Sequence, residues 1–226
     1  MNERQPSQTA LGAAGYRAAH QILEGGKVFS DPLARTILGD GADAIIAGLS
    51  EGPAQQRTRI YMAVRSRFAE DCLGAAVSRG VRQAVVLGAG FDTFALRNPY
   101  SELGLRVFEV DHAATQAWKR RRLSEVGLAI PASLTFAAVD FESDDLGRGL
   151  RDAGLNPDDP AFFIWLGCRS FMDSPFAWKT RPHRSARAEI NHDPSATTSH
   201  CAEAFEWMRE PFGFGKLAKQ DRKSNS

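Results

Sequence analysis

The chain has 226 residues, 43% of them hydrophobic and 24% charged, with a formal net charge of +1. This is the size and composition of one ordinary globular domain, and the near-zero charge excludes a broad basic field for nucleic acid or an anionic membrane surface. Cys72, Cys168 and Cys201 are widely separated, which argues against a disulfide framework or a Cys-rich zinc site.

In chain order, the N-terminus "MNERQPSQTA" is polar, unlike a secretory leader. No apolar run approaches the ~20 residues of a membrane span; the cytoplasm is the expected location. Residues 1–80 read as helical. "TALGAAGYRAAHQILEGG" offers Thr9 as a cap and Gly25-Gly26 as a stop, and "SDPLARTILG" offers Ser30 or Asp31 as N-cap. In "RIYMAVRSRFAEDCLGAAVSRG", Ile60, Val64, Phe68 and Cys72 recur at helical spacing.

Four short apolar runs follow: "QAVVLGAG", "LRVFEVD", "SLTFAAVD" and "AFFIWLG". Helical patterns separate the second from the third and the third from the fourth. Strands alternating with helices predict a parallel sheet, and uninterrupted apolar strands predict cover on both faces. After Gly167 the period fades, and Pro175, Pro182 and Pro194 fall among scattered charges. "HCAEAFEWMRE" reads as one amphipathic helix, "RAEI" as a weak strand and "KLAKQDRKSNS" as a polar tail.

Ligands of open α/β sheets bind at the carboxyl ends of the strands. The first strand ends in Gly88-Ala89-Gly90, a turn that either lets backbone approach a ligand or simply reverses the chain. A dinucleotide fingerprint would place a third glycine where Thr93 stands, and Asp92 would repel a pyrophosphate. S-adenosylmethionine carries sulfonium and ammonium cations, so a carboxylate there is tolerated. Asp111 ends the second strand and suits either ribose hydroxyls or a helix N-cap; Glu109 points to the same side. Asp140 and Phe141 end the third strand and suit an adenine amino group and purine face, or again a turn.

The segments "FSDPLA", "RSRFAED", "VVLGAGFDTFALR", "VFEVDHAATQAWKRRRL", "ASLTFAAVDFESD" and "PAFFIWLG" resemble the leucine carboxyl methyltransferase family, in its bacterial S-adenosylmethionine-dependent branch, over about Thr9 to Gly167. The resemblance implies a class I methyltransferase fold, Rossmann-like, with extra N-terminal helices over the donor site. It implies methyl transfer to an oxygen: a carboxylate or hydroxyl of a small molecule or peptide. Gly88 and Gly90 would line the methionine part, Asp111 the ribose, and Asp140 with Phe141 the adenine; Ala89 and Asp92 are further donor-binding candidates in the same turn. Arg65 would pair with the donor carboxylate, a role that suits a guanidinium fork; Arg17 is a second candidate. No catalytic side chain is singled out: a carboxylate acceptor needs no general base, and the sequence names none for a hydroxyl acceptor, which can need one.

A single domain is expected, with residues 1–80 as a helical cap, 81–167 as the donor-binding core and 168–226 as a divergent, truncated or frameshifted tail that leaves the sheet incomplete. Leu166 stands where many family members have an acid. The alternatives are a non-catalytic remnant that still binds the donor, and an NAD(P)-dependent oxidoreductase. "KRRR", Lys119 to Arg122, is read as a solvated helix face. His183, His192, Asp193, His200 and Cys201 fit no familiar ligand spacing, so no metal is expected. No nucleic acid or membrane partner is expected either.

Overall fold

The protein is described from a computed structural model over residues 7–166. The expectations for residues 167–226, including the helix, the strand, the histidine cluster and the incomplete sheet, lie outside the described residues.

Helix α1 spans Gln8–Leu23. Its cap is Ser7, whose hydroxyl accepts from the Ala10 amide, so Thr9 lies inside the first turn instead of capping it. Helix α2, Ala34–Leu38, begins after Asp31, and neither Ser30 nor Asp31 caps it. Helix α3, Ala42–Gly48, follows through a 3-10 turn. Helix α4 runs Pro53–Ser78, with its proline in the first turn, where the missing N–H is no loss.

Helix α4 has the expected period but buries a different face. Ala63, Ser66, Ala69, Leu73, Ala76 and Val77 point inward together with Cys72, whereas Tyr61, Val64 and Phe68 are exposed. Small residues let the helix approach its neighbours closely, so they, and not the largest apolar side chains, form the contact.

Among the described residues the sheet has four parallel strands in the order β3-β2-β1-β4: β1 Gln83–Leu87, β2 Arg106–Asp111, β3 Leu134–Ala138 and β4 Ala161–Ile164. Helix α5, Ala113–Glu125, connects β2 to β3, and α6, Leu146–Asp152, connects β3 to β4. Between β1 and β2 there is no α-helix, only two 3-10 turns at Phe94–Leu96 and Ser101–Leu103.

Side chains alternate across the central strand, as a period of two requires. Ala84 and Val86 pack with Leu73, Ala76 and Val77 of α4. Val85 and Leu87 pack on the other face with Leu150 of α6. This two-sided burial accounts for the uninterrupted apolar strands. A third cluster joins α1, α2 and α3 to Phe91 just past β1 and to Leu123 of α5, so the helical cap rests on the strand end where the glycine turn lies.

Candidate functional site

Gly88 and Gly90 have φ values of +62° and +51°, a region that costs any other L-residue roughly 1–2 kcal/mol. A Cβ at Gly90 would also lie 2.8 Å from the Cβ of Ala10. The second glycine therefore serves two needs: a left-handed turn and close contact with α1.

Past Ala89 each residue of the turn is held, and all but the last by a side chain from another part of the fold. The Gly90 amide donates to Oδ2 of Asp111 at 2.7 Å. The Phe91 carbonyl accepts from Arg17 of α1 at 2.7 Å. The Asp92 carbonyl accepts from Nζ of Lys119 in α5 at 2.5 Å. The Thr93 hydroxyl donates to Oδ1 of Asp31 at 2.6 Å. The Phe94 amide donates to the Asp92 carboxylate at 2.8 Å. Asp31 and Thr93 are fully buried, and Asp31 also takes Nε of Arg17 at 3.0 Å. Arg97 extends the network to Asp31 at 3.6 Å and forms an ion pair with Glu70. Burial pushes the Glu70 carboxyl above its ordinary range, against the pull of Arg97.

Beside the turn lies a cavity of about 160 Å³. Its walls include Arg65, Gly88, Ala89, Gly90, Asp92, Asp111 and Phe141, with Arg17, Ser66 and Leu166 and the first turns of α1 from Ser7 to Ala13. Seven of the eight residues singled out from the sequence thus face one space. Asp140 does not line it. Its carboxylate accepts from the Glu142 amide at 3.0 Å, and its own amide donates to Asp144. That backbone bond from Glu142 holds the Asp140 carboxyl below its ordinary range.

Asp111 is not the cap of α5. His112 is, with Nδ1 accepting from the Ala114 amide at 3.1 Å. Oδ1 of Asp111 accepts from the His112 amide and Oδ2 from Gly90. A carboxylate has about four acceptor sites, so two are left after these bonds. Arg65 donates to the Leu166 carbonyl at the end of β4.

The "KRRR" stretch is a solvated face only in part. Lys119 is buried and pairs with buried Glu109 at 2.6 Å. Arg120 lies over the ring of Phe136 at 4.1 Å, and Arg122 over Trp118 at 4.8 Å. Arg120 and Arg121 are exposed, and Arg122 is half-buried. Helix α5 packs against β3 and α2, so the face that carries Lys119 is covered, whatever its charge. Burial raises the Glu109 carboxyl; Lys119 opposes this, and Asp92 and Asp111 add to it. Lys119 and Asp31 are the site residues that composition and spacing missed. A lysine in a basic run and an acid before a proline give no sign of burial.

Among the described residues no group of three or more His, Cys, Asp or Glu is placed to hold a metal ion, and no helix is long and apolar enough to cross a membrane.

The sequence profile of the leucine carboxyl methyltransferase family matches residues 10–180. The chain belongs to the leucine carboxyl methyltransferase family. Within that family it is 30% identical over 195 residues to a Bacillus subtilis protein named "Putative S-adenosyl-L-methionine-dependent methyltransferase YktD", covering 76% of this chain and 64% of the relative. A similarly named protein of Mycolicibacterium paratuberculosis is 34% identical over 73% of this chain and 55% of its own length. Another, from Parafrankia, is 35% identical over 74% and 54%. The chain spans between about half and two thirds of the length of these relatives. The family match and the parallel sheet together make the core a Rossmann-like methyltransferase fold.

Proposed function

We propose that the cavity beside the glycine turn binds S-adenosyl-L-methionine and that the chain serves an O-methyltransferase acting on a carboxylate or hydroxyl. The observation that carries this reading is the placement of two carboxylates, Asp92 and Asp111, on the wall of one cavity built over Gly88–Gly90. Carboxylates there favour a cationic sulfonium and ammonium and disfavour a pyrophosphate. The turn also opens onto a 3-10 turn, not the N-terminus of an α-helix, which dinucleotide sites use to hold phosphate.

The donor chemistry fits the residues present. The two remaining acceptor sites of Asp111 suit the ribose hydroxyls. Phe141 supplies an aromatic wall for the purine, and Arg65 a guanidinium for the donor carboxylate. Asp140 would meet the adenine amino group only from outside the cavity wall. When bound, the donor supplies an activated methyl group for in-line displacement. The protein then acts by holding the acceptor oxygen at near-attack distance and excluding water.

Calorimetric titration tests the reading: S-adenosylhomocysteine is expected to bind and NAD is not. Tight NAD binding with no response to S-adenosylhomocysteine would sink it. Turnover assays with candidate carboxylic acids and alcohols then separate an active transferase from a chain that only binds the donor.

A further inference from the structure

Lys119 does more than neutralise a buried acid. Its ammonium contacts Oε2 of Glu109 at 2.6 Å and the main-chain carbonyl of Asp92 at 2.5 Å, and the side chain is 1% exposed. Oε1 of Glu109 makes no hydrogen bond among the described residues, so the ion pair is incompletely satisfied. Such a pair is weak grounds for stability, because well-packed apolar side chains of similar volume often serve as well. What an apolar pair lacks is a donor for the Asp92 carbonyl. The preceding carbonyl, that of Phe91, is held by Arg17 from α1. Cations from two different layers therefore fix successive carbonyls of the turn, on either side of the Asp92 nitrogen.

We propose that Lys119 is a positioning residue of the donor site: it fixes the Asp92 carbonyl and, through it, the approach of the Asp92 carboxylate to the cavity, while Glu109 is the counter-ion that keeps the ammonium in place. The affinity part of this proposal rests on the donor-binding reading above; the ordering of the turn does not.

The test uses the full chain and three variants, Lys119→Met, Glu109→Gln and the double variant Glu109→Met/Lys119→Met. Three quantities are read: the thermal midpoint, amide exchange at Asp92 and Phe94, and calorimetric affinity for S-adenosylhomocysteine. Lys119→Met lowers the midpoint, since it leaves a buried acid alone. The double variant regains the midpoint but not the turn. Its Asp92 and Phe94 amides exchange about tenfold faster than in the wild type and its affinity falls about tenfold, the scale of one hydrogen bond to a charged group. Glu109→Gln keeps an acceptor for Lys119 and stays within about threefold of the wild type in both readings, well under the loss of such a bond. A double variant with native exchange and native affinity overturns the proposal, even if Lys119→Met fails to fold. If the wild type binds no S-adenosylhomocysteine, the donor reading falls, and the exchange rates alone decide: fast exchange in the double variant upholds the hold on the turn, and native rates refute it.

Discussion

Asp111 and Asp140 both stand at the carboxyl ends of adjacent parallel strands, and they differ in what they hold. Asp111 reaches across to the Gly90 amide and lines the cavity. Asp140 is half-buried and folds back onto its own turn. The register explains the difference. Asp111 is level with Ala138, so Asp140 lies two residues higher, roughly 6–7 Å further along at 3.3 Å per residue. It also sits past the end of β3, the outermost strand on that side among the described residues, whereas Asp111 borders the central strand and its turn. An acid after a strand is a site residue only where a neighbouring strand ends at the same height and turns toward it.

The comparison has a stability counterpart, and the largest effect is expected there. Asp31→Ala removes the buried acceptor of Arg17 and Thr93 and should cost about 3–5 kcal/mol, the range for breaking a buried pair. Asp144→Ala, at the open end of β3, should change stability by less than about 0.5 kcal/mol. Denaturant midpoints compare them; equal losses would mean that the two strand ends are equally tied down.

Next is Gly90→Ala. The left-handed backbone costs roughly 1–2 kcal/mol, and the new Cβ against Ala10 adds about 1–3 kcal/mol of overpacking. Gly104, with φ +80° and open space around it, should lose only the backbone part on substitution by Ala. Equal losses at the two glycines would show that α1 does not press on the turn.

The acids themselves come third, read by titration with S-adenosylhomocysteine. Asp111→Ala should weaken binding by about 1–3 kcal/mol, the cost of unsatisfied polar partners. Asp111→Asn should cost less, because an amide oxygen still accepts. Asp140→Ala should leave affinity close to that of the wild type. A larger loss at Asp140 than at Asp111 would reverse the comparison.

The smallest effect is a change of slope with pH. Burial lifts Glu109 above its ordinary value of 4.5, opposed by Lys119 and aided by Asp92 and Asp111. The native state then binds more protons than the unfolded state between the two pKa values. Its contribution to stability is full below about 4.5 and is lost as pH rises through the native value. Glu70 is lifted in the same direction by its burial. Glu109→Gln should therefore flatten the decline of stability with rising pH without abolishing it, in denaturant midpoints measured from acid to neutral pH. An unchanged slope would mean that the pair titrates as an ordinary exposed acid.

Much of the fold was legible because local rules and the global structure agree there. Apolar runs of strand length ending in glycine or acid marked all four strands, and seven of the eight chosen residues meet at one cavity. The 3.6-residue period also identified α4, although not its inward face: Ile60, Val64, Phe68 and Cys72 share a period with the alanines beside them, and only the close approach to α1 and the sheet selects the smaller set.

By itself, then, the sequence determined the elements, their parallel arrangement and the chemistry available at the strand ends, because periodicity and turn residues act within a few positions of one another. The tertiary structure alone decided which charges are buried and what they hold. Lys119 and Asp31 have ordinary neighbours in the chain, but α5 and the loop before α2 carry them to the same glycine turn, 27 and 62 positions away from their respective partners Asp92 and Thr93. Whether a charge is solvated or buried depends on which surfaces close over it, and those surfaces come from distant parts of the chain.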